Sequence, residues 1–68
     1  MATTAEKLYR LRRGAGLSQV ELAEASGVAQ STIAGVEGGN HAKPHPRTLR
    51  KLAAALGVEI RDLLEDER

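Results

Sequence analysis

The chain has 68 residues and predicts one domain, residues 1–68, with a small core. The absence of cysteine excludes disulfides and thiol catalysis, and no apolar run approaches the roughly 20 residues that span a bilayer, so we expect a cytoplasmic protein without membrane contact. The net charge is only +1, but it is uneven, because the segment 38–51 has bases and no acid whereas 59–68 is acidic.

The first predicted helix covers about residues 4–13. Thr3 stands three residues before Glu6, the spacing of a capping box, in which each side chain accepts a hydrogen bond from the other residue's main-chain N–H. Gly14 and Gly16 end this helix, because glycine adopts the backbone conformations that close a helix. The apolar face has helical spacing and consists of Ala5, Leu8 and Leu11.

A short turn joins the second and third predicted helices. Ser18 and Glu21 form another capping box and predict a helix over residues 18–26. Gly27 is available for the left-handed conformation of a sharp turn, and a third helix is predicted over 29–37. Two short helices joined in this way are typical of a helix-turn-helix. The residues expected between them are small or apolar: Leu22, Ala23, Val28, Ile33 and Val36.

Prolines mark the start of the fourth predicted helix. Pro44 and Pro46 interrupt the chain, and Pro46 suits the first turn of a helix over residues 46–56. A fifth, short helix is predicted over residues 59–65. The predicted fold class is therefore all-α, a compact five-helix bundle that contains a helix-turn-helix.

The segment 38–51, which we call the basic strip, holds Lys and Arg residues and two histidines. Such a strip is the electrostatic footprint expected for a polyanion, although the composition alone fits a solvated loop equally well. His41 and His45 lie in it without a cysteine or a nearby acid, so we predict neither a metal site nor a cofactor.

Three motifs in order give the chain a family resemblance. They are LRRGAGLSQVELA, GVAQSTIAGVEGG and LRKLAAALGVEIRDLL, the strongest parts of a resemblance that covers roughly Leu8 to Leu64. In these motifs the chain resembles the lambda-type repressor and Cro family of helix-turn-helix proteins, also called the XRE family. The resemblance implies a five-helix bundle whose third helix lies in the major groove of DNA, with its N-terminal residues at the base edges.

The resemblance also implies residue roles. Gln30, Ser31 and the position of Gly35 would face the bases, and Gln19 would lie beside a phosphate and brace Gln30. A glutamine can pair with N6 and N7 of adenine, and the N–H groups at a helix N-terminus favour phosphate. The residues assigned to the DNA backbone are Ser18, Gln19, Arg12, Lys43 and Arg47.

The resemblance also implies a charged pair, and the chain departs from the family pattern at three places. The resemblance implies that Arg12 pairs with Glu37, which would pin the third helix and direct the guanidinium toward a phosphate. Ala29 stands where the family often has a capping Ser or Thr. Gly35 replaces a long base-reading side chain that many relatives carry, and the loop after Glu37 is slightly longer.

The predicted function is sequence-specific binding of double-stranded DNA by a homodimer that represses transcription. One alternative is an antitoxin, which would bind DNA and also a toxin protein, and another is an adaptor that keeps the fold without DNA. Gln19, Gln30 and the basic strip argue against the adaptor. We predict no enzymatic activity, since the sequence has no phosphate-cradling glycine loop and no supported Ser/His/acid set.

The C-terminal end supplies the predicted dimer surface. Its four apolar residues stand within seven positions, more than a helix of two turns readily buries against its own domain: Val58, Ile60, Leu63 and Leu64. The acidic end beyond them would be repelled by DNA, which suits a surface remote from the phosphates. The alternative is that all four residues simply close the core.

Overall fold

The computed structural model describes residues 3–40 and 44–64. These residues form four α-helices and one 3₁₀ turn, and they include no strand: α1 (Thr4–Gly14), α2 (Gln19–Ser26), α3 (Gln30–Glu37), α4 (Pro46–Leu56) and the turn Ile60–Asp62. The all-α class and the helix-turn-helix are confirmed, and the bounds of α1 to α4 lie within one residue of those predicted.

Capping boxes begin α1 and α2 as predicted. Thr3 N donates to Glu6 Oε1 at 3.0 Å, and Glu6 N donates to Thr3 Oγ1 at 3.2 Å. Ser18 N donates to Glu21 Oε1 at 2.8 Å, and Glu21 N donates to Ser18 Oγ at 3.0 Å. Main-chain N–H groups that a helix cannot satisfy internally are thus paired, which fixes where each helix begins.

The start of α4 uses a cap that the sequence did not reveal. Pro46 is its first residue, as predicted, and the main-chain N–H that proline lacks would be unpaired at this position in any case. His45 precedes it, and its Nδ1 accepts a hydrogen bond from Arg47 N at 3.0 Å. A histidine in its neutral form can therefore do here what Ser or Asp does in other caps.

The predicted fifth helix is wrong, because the chain forms only the 3₁₀ turn Ile60–Asp62. Its main-chain bonds join residues three apart, with Leu63 N donating to Ile60 O at 2.9 Å. An α-helix must fix several residues before it gains its first hydrogen bond, and a segment this short favours the tighter turn. Glu65, the predicted last residue, lies outside the described residues.

The core lies where the helices meet. Its fully buried large side chains are Leu8, Leu22, Ile33, Leu52, Leu63 and Val36. Burying each of them contributes about 1.5–3 kcal/mol relative to exposure to water. Of the residues predicted to lie between α2 and α3, Leu22, Val28, Ile33 and Val36 are buried, and Ala23 is partly buried against the core. Because α3 packs against both α1 and α2, its orientation is held from two sides.

Candidate nucleic-acid interface

The turn between α2 and α3 fixes the angle between these helices. Gly27 has φ 77°, in the left-handed region that glycine adopts without strain, and its N–H donates to Ala23 O at 2.9 Å. Ser26 Oγ then accepts a hydrogen bond from Val28 N at 3.1 Å, a contact that the sequence analysis missed. Val28 is 8% exposed and anchors the turn in the core.

The first turn of α3 is open to solvent. Gln30 and Ser31 are exposed there, whereas Gly35 is half-buried further along the helix. Ala29 occupies the N-cap position and provides no side-chain hydrogen bond, as its residue type predicted. The positive end of the helix dipole therefore faces solvent beside two side chains that can hydrogen-bond to a base or a phosphate.

A buried ion pair lies behind this open turn. Arg12 Nε donates to Glu37 Oε2 at 2.6 Å, and Arg12 Nη2 donates to Glu37 Oε1 at 2.9 Å. The two side chains are 8% and 6% exposed. The pair expected from the family resemblance is thus present in its bidentate form, and it ties the last residue of α3 to α1.

The environment keeps both partners charged. Burial raises the pKa of Glu37, but hydrogen bonds from Arg12 and Gln19 and the positive charge of Arg12 outweigh it, so the pKa lies below its usual value. The hydrogen bond to Glu37 raises the pKa of Arg12 against the opposing effect of burial. Glu37 therefore presents a carboxylate, which accepts hydrogen bonds and donates none.

Arg12 has a third protein partner in addition to the carboxylate of Glu37. Besides its two bonds to Glu37, it donates from Nη1 to Leu17 O at 2.8 Å. Its side chain is only 8% exposed, so little of it reaches the surface. The charge of Arg12 compensates the buried Glu37, since an unpaired buried charge is costly. The assignment of Arg12 to the DNA backbone stays a prediction.

Tyr9 was not identified as part of this region. Its ring centroid lies 5.4 Å from Arg12 Cζ and 5.5 Å from Arg13 Cζ, and its hydroxyl oxygen accepts a hydrogen bond from Arg13 Nη1 at 3.1 Å. Both arginines are thus within cation–π range of one ring. The spacing was a usable signal, because residues three and four apart are neighbours on a helix.

Gln19 and Gln30 lie side by side, one at the start of each helix. Gln19 Nε2 donates to Glu37 Oε1 at 3.1 Å, and Gln30 Nε2 donates to Gln19 Oε1 at 3.4 Å. The bracing of Gln30 by Gln19 was expected, whereas the contact between Gln19 and Glu37 was not. Periodicity places residues on faces, but it does not show which polar side chains meet across two helices.

The other residues assigned to the DNA backbone are exposed where they are described. Ser18 Oγ caps α2 and keeps a hydroxyl hydrogen to donate, and Arg47 lies exposed in the first turn of α4. Arg50 and Lys51 of the basic strip are exposed as well. Lys43 and His41 lie outside the described residues.

The predicted dimer residues have different environments. Leu63 is 0% exposed and belongs to the core, so it is unavailable to a second chain, and its assignment to the dimer surface is corrected. Val58 and Ile60 are half-buried against the core. Leu64 is 45% exposed, and Lys7 Nζ donates to its carbonyl oxygen at 2.7 Å, which holds this end against α1.

Two further properties concern the described residues, 3–40 and 44–64. No helix in these ranges is long and apolar enough to cross a bilayer. Within the same ranges, no three His, Cys, Asp or Glu side chains are grouped so that they could hold a metal ion.

Comparison with known proteins connects this geometry to a family. A family model described as helix-turn-helix matches residues 8–63. The chain is 38% identical over 64 residues to an uncharacterized HTH-type transcriptional regulator RghRB of Bacillus subtilis, covering 94% of this chain and 46% of the relative. It is 39% identical over 61 residues to the HTH-type transcriptional regulator SlrR of the same species, covering 90% of this chain and 39% of the relative.

A third relative is named as a repressor. The HTH-type transcriptional repressor RghR of Bacillus subtilis is 36% identical over 64 residues, which cover 94% of this chain and 47% of that protein. The chain thus spans about half or less of the length of these relatives. The family match covers α1 from Leu8 onward and the whole of α2, α3 and α4.

Proposed function

The chain belongs to the XRE-type helix-turn-helix family, and we propose that it is a sequence-specific DNA-binding repressor that acts as a homodimer. In this proposal α3 lies in the major groove and its first turn meets the base edges. One observation carries the proposal: the exposed Gln30 is linked through Gln19 to the buried pair of Arg12 and Glu37. An exposed polar residue with such support is suited to recognition, because little freedom is lost when it binds.

The surface around Gln30 supports contacts of two kinds. Ser31 and the backbone at Gly35 are the further residues that we assign to the bases. Ser18, Gln19 and Arg47 are assigned to the phosphates, together with Lys43, which lies outside the described residues. The RghR relative is named as a repressor, which supports repression as the outcome of binding. The proposal gives the chain a binding role and no enzymatic activity.

The proposed dimer surface contains Leu64, Val58 and Ile60. Leu64 is the most exposed of these, and a single exposed leucine beside two half-buried apolar residues is a small patch. We therefore propose an association that the DNA itself promotes by holding two copies about 34 Å apart. The antitoxin alternative stays a prediction, because no contact of the described residues favours a toxin partner.

Selection of bound fragments from a random pool of double-stranded DNA tests this function. We expect one enriched sequence with two inverted half-sites about one helical turn apart. Gln30→Ala should lose roughly 1–3 kcal/mol of preference at one position of each half-site. Lys43→Ala should weaken binding to all sequences and lower the salt slope by about 1. No enrichment over the starting pool would refute DNA recognition.

The same DNA tests the dimer. Sedimentation of the wild type with the selected duplex should give two protein chains per duplex, and Leu64→Glu should give one. Arg61→Glu is the control, because it places a carboxylate on an exposed residue of the neighbouring turn and changes the net charge by two units instead of one. A wild-type complex with one protein chain would refute the homodimer.

A further inference from the structure

A directed chain of hydrogen bonds runs from the interior to the exposed start of α3. Glu37 Oε1 accepts from Arg12 Nη2 at 2.9 Å and from Gln19 Nε2 at 3.1 Å. Gln19 Oε1 in turn accepts from Gln30 Nε2 at 3.4 Å. Each glutamine therefore points its NH₂ group toward the carboxylate and its oxygen away from it. The other donor to the carboxylate is the buried Arg12, which compensates its charge.

The direction of these bonds follows from the chemistry of Glu37. An ionised carboxylate only accepts, so the NH₂ end of the Gln19 amide must face it. The two ends of an amide point in different directions, and the oxygen of Gln19 is therefore the end that meets Gln30. Against an oxygen, the favourable end of Gln30 is again its nitrogen, because two amide oxygens would repel each other.

The last bond matters for its direction more than for its strength. At 3.4 Å it is longer than the usual range of about 2.7–3.2 Å, so it contributes little to stability. It nevertheless assigns one N–H of Gln30 to Gln19. What Gln30 has left for a base is its carbonyl oxygen and its second N–H.

The carbonyl oxygen and the second N–H of Gln30 match adenine and not guanine. Adenine presents a donor at N6 and an acceptor at N7 in the major groove, whereas guanine presents acceptors at both O6 and N7. We propose that Glu37 is a specificity-determining positioning residue, which acts through Gln19 to orient the Gln30 amide and so makes α3 prefer adenine to guanine. This inference rests on the proposed DNA-binding function and extends it to the choice of base.

The test compares two duplexes that differ at one base pair. The position read by Gln30 is first located as the one whose preference Gln30→Ala abolishes in the selected sequence. Binding constants are then measured for adenine and for guanine at that position. The wild type should prefer adenine by about tenfold or more, within the discrimination expected of a bidentate contact.

Two variants break the series at different points. Gln19→Met removes the link but leaves the pair of Arg12 and Glu37 in place, and Glu37→Gln removes the acceptor-only group. Each should lower the adenine-to-guanine ratio by about fivefold or more, because Gln30 is then free to turn both N–H groups to guanine.

The adenine-to-guanine ratio distinguishes a change in the orientation of Gln30 from a loss of folded protein. A variant that is only partly folded binds both duplexes less well by the same factor, so its ratio is unchanged. Glu24→Gln is the matched control, since it removes the same charge from an exposed residue of α2 and should leave the ratio at the wild-type value. A wild-type ratio retained in Glu37→Gln or in Gln19→Met, or a wild type that prefers guanine, overturns the inference while DNA binding stands. A wild type that selects no sequence overturns both.

Discussion

The two helices of the helix-turn-helix have the same length, eight residues each, but they begin differently. A reciprocal capping box of Ser18 and Glu21 starts α2, whereas α3 starts at Ala29 without a side-chain hydrogen bond. A helix this short is marginal by itself in water. The contrast indicates that α2 is stabilised at its start, and that α3 is stabilised by its tertiary contacts.

Those contacts lie along α3 and at its end. Ile33 and Val36 are almost completely buried, and Glu37 is held by Arg12. The start of α3 is the part that the proposed function turns toward DNA, where a capping side chain would occupy N–H groups that a phosphate can use. Stability and recognition are thus assigned to opposite ends of one helix.

The largest expected effect comes from breaking the support at the end of α3. Glu37→Ala leaves the Arg12 guanidinium buried without its carboxylate, and we expect a loss of about 3–5 kcal/mol in the free energy of unfolding. Urea denaturation followed by circular dichroism measures it. Arg61→Ala is the control, because its pair with Glu59 is exposed and removing it should change little. Equal losses in the two variants would contradict the assigned role of the pair.

Because of the same carboxylate, we expect the free energy of unfolding to depend on pH. The pKa of Glu37 is lowered in the folded protein, because hydrogen bonds and the charge of Arg12 outweigh the effect of burial. Its ionisation therefore stabilises the fold above the unfolded pKa of about 4.3. That stabilisation is lost as the pH falls through the lower folded value.

Urea denaturation between about pH 7 and pH 3 measures this effect, and Glu37→Gln is the comparison. The wild type should lose stability toward acid more steeply than the variant. In acid the unfolded wild type binds a proton at Glu37 that the folded protein does not bind, and the variant has no such group. Parallel curves for the two proteins would show that Glu37 does not contribute to the acid limb.

A smaller effect is expected at the start of α2. Ser18→Ala removes the oxygen that accepts from Glu21 N, and we expect a loss of about 1 kcal/mol in the free energy of unfolding. Ser31→Ala makes the same change within α3, where alanine is the better helix former, and should not destabilise. If both variants melt at the wild-type temperature, the capping box does not stabilise α2.

The sequence predicted most of the helical frame because local chemistry determines it. Capping boxes, Gly27 and Pro46 act within a few residues of where they stand, and the helix bounds followed from them. The apolar residues between α2 and α3 were also identifiable, because burial follows helical spacing.

The features that could not be predicted depend on how neighbouring side chains compete for one place in the packed structure. Leu63 and Leu64 are adjacent and equally apolar, yet one is fully buried and the other is 45% exposed. Which leucine enters the core is decided by the 3₁₀ turn, whose hydrogen bonds follow from the shortness of the segment. The contact of Gln19 with Glu37 depends in the same way on the packing of three helices.

The smallest effect is expected from a substitution that gives α3 the N-terminal cap that it lacks. Ala29 has φ −60° and ψ 141°, an extended conformation that suits an N-cap residue, so Ala29→Ser can place an oxygen near the first N–H groups without strain. We expect a gain of about 0.5–1 kcal/mol in the free energy of unfolding, which corresponds to a melting temperature about 2–8 °C higher. Ala25→Ser is the matched control in α2 and should not stabilise, since serine is a poorer helix former than alanine.

Binding to the selected DNA then shows whether the open start of α3 is used. A serine oxygen would compete with phosphate for the same N–H groups, so Ala29→Ser should melt higher while binding no more tightly than the wild type. A variant that is more stable and also binds more tightly would show that these N–H groups do not face DNA. A variant with an unchanged melting temperature would show that residue 29 does not act as the cap, because the oxygen would then have reached no N–H group.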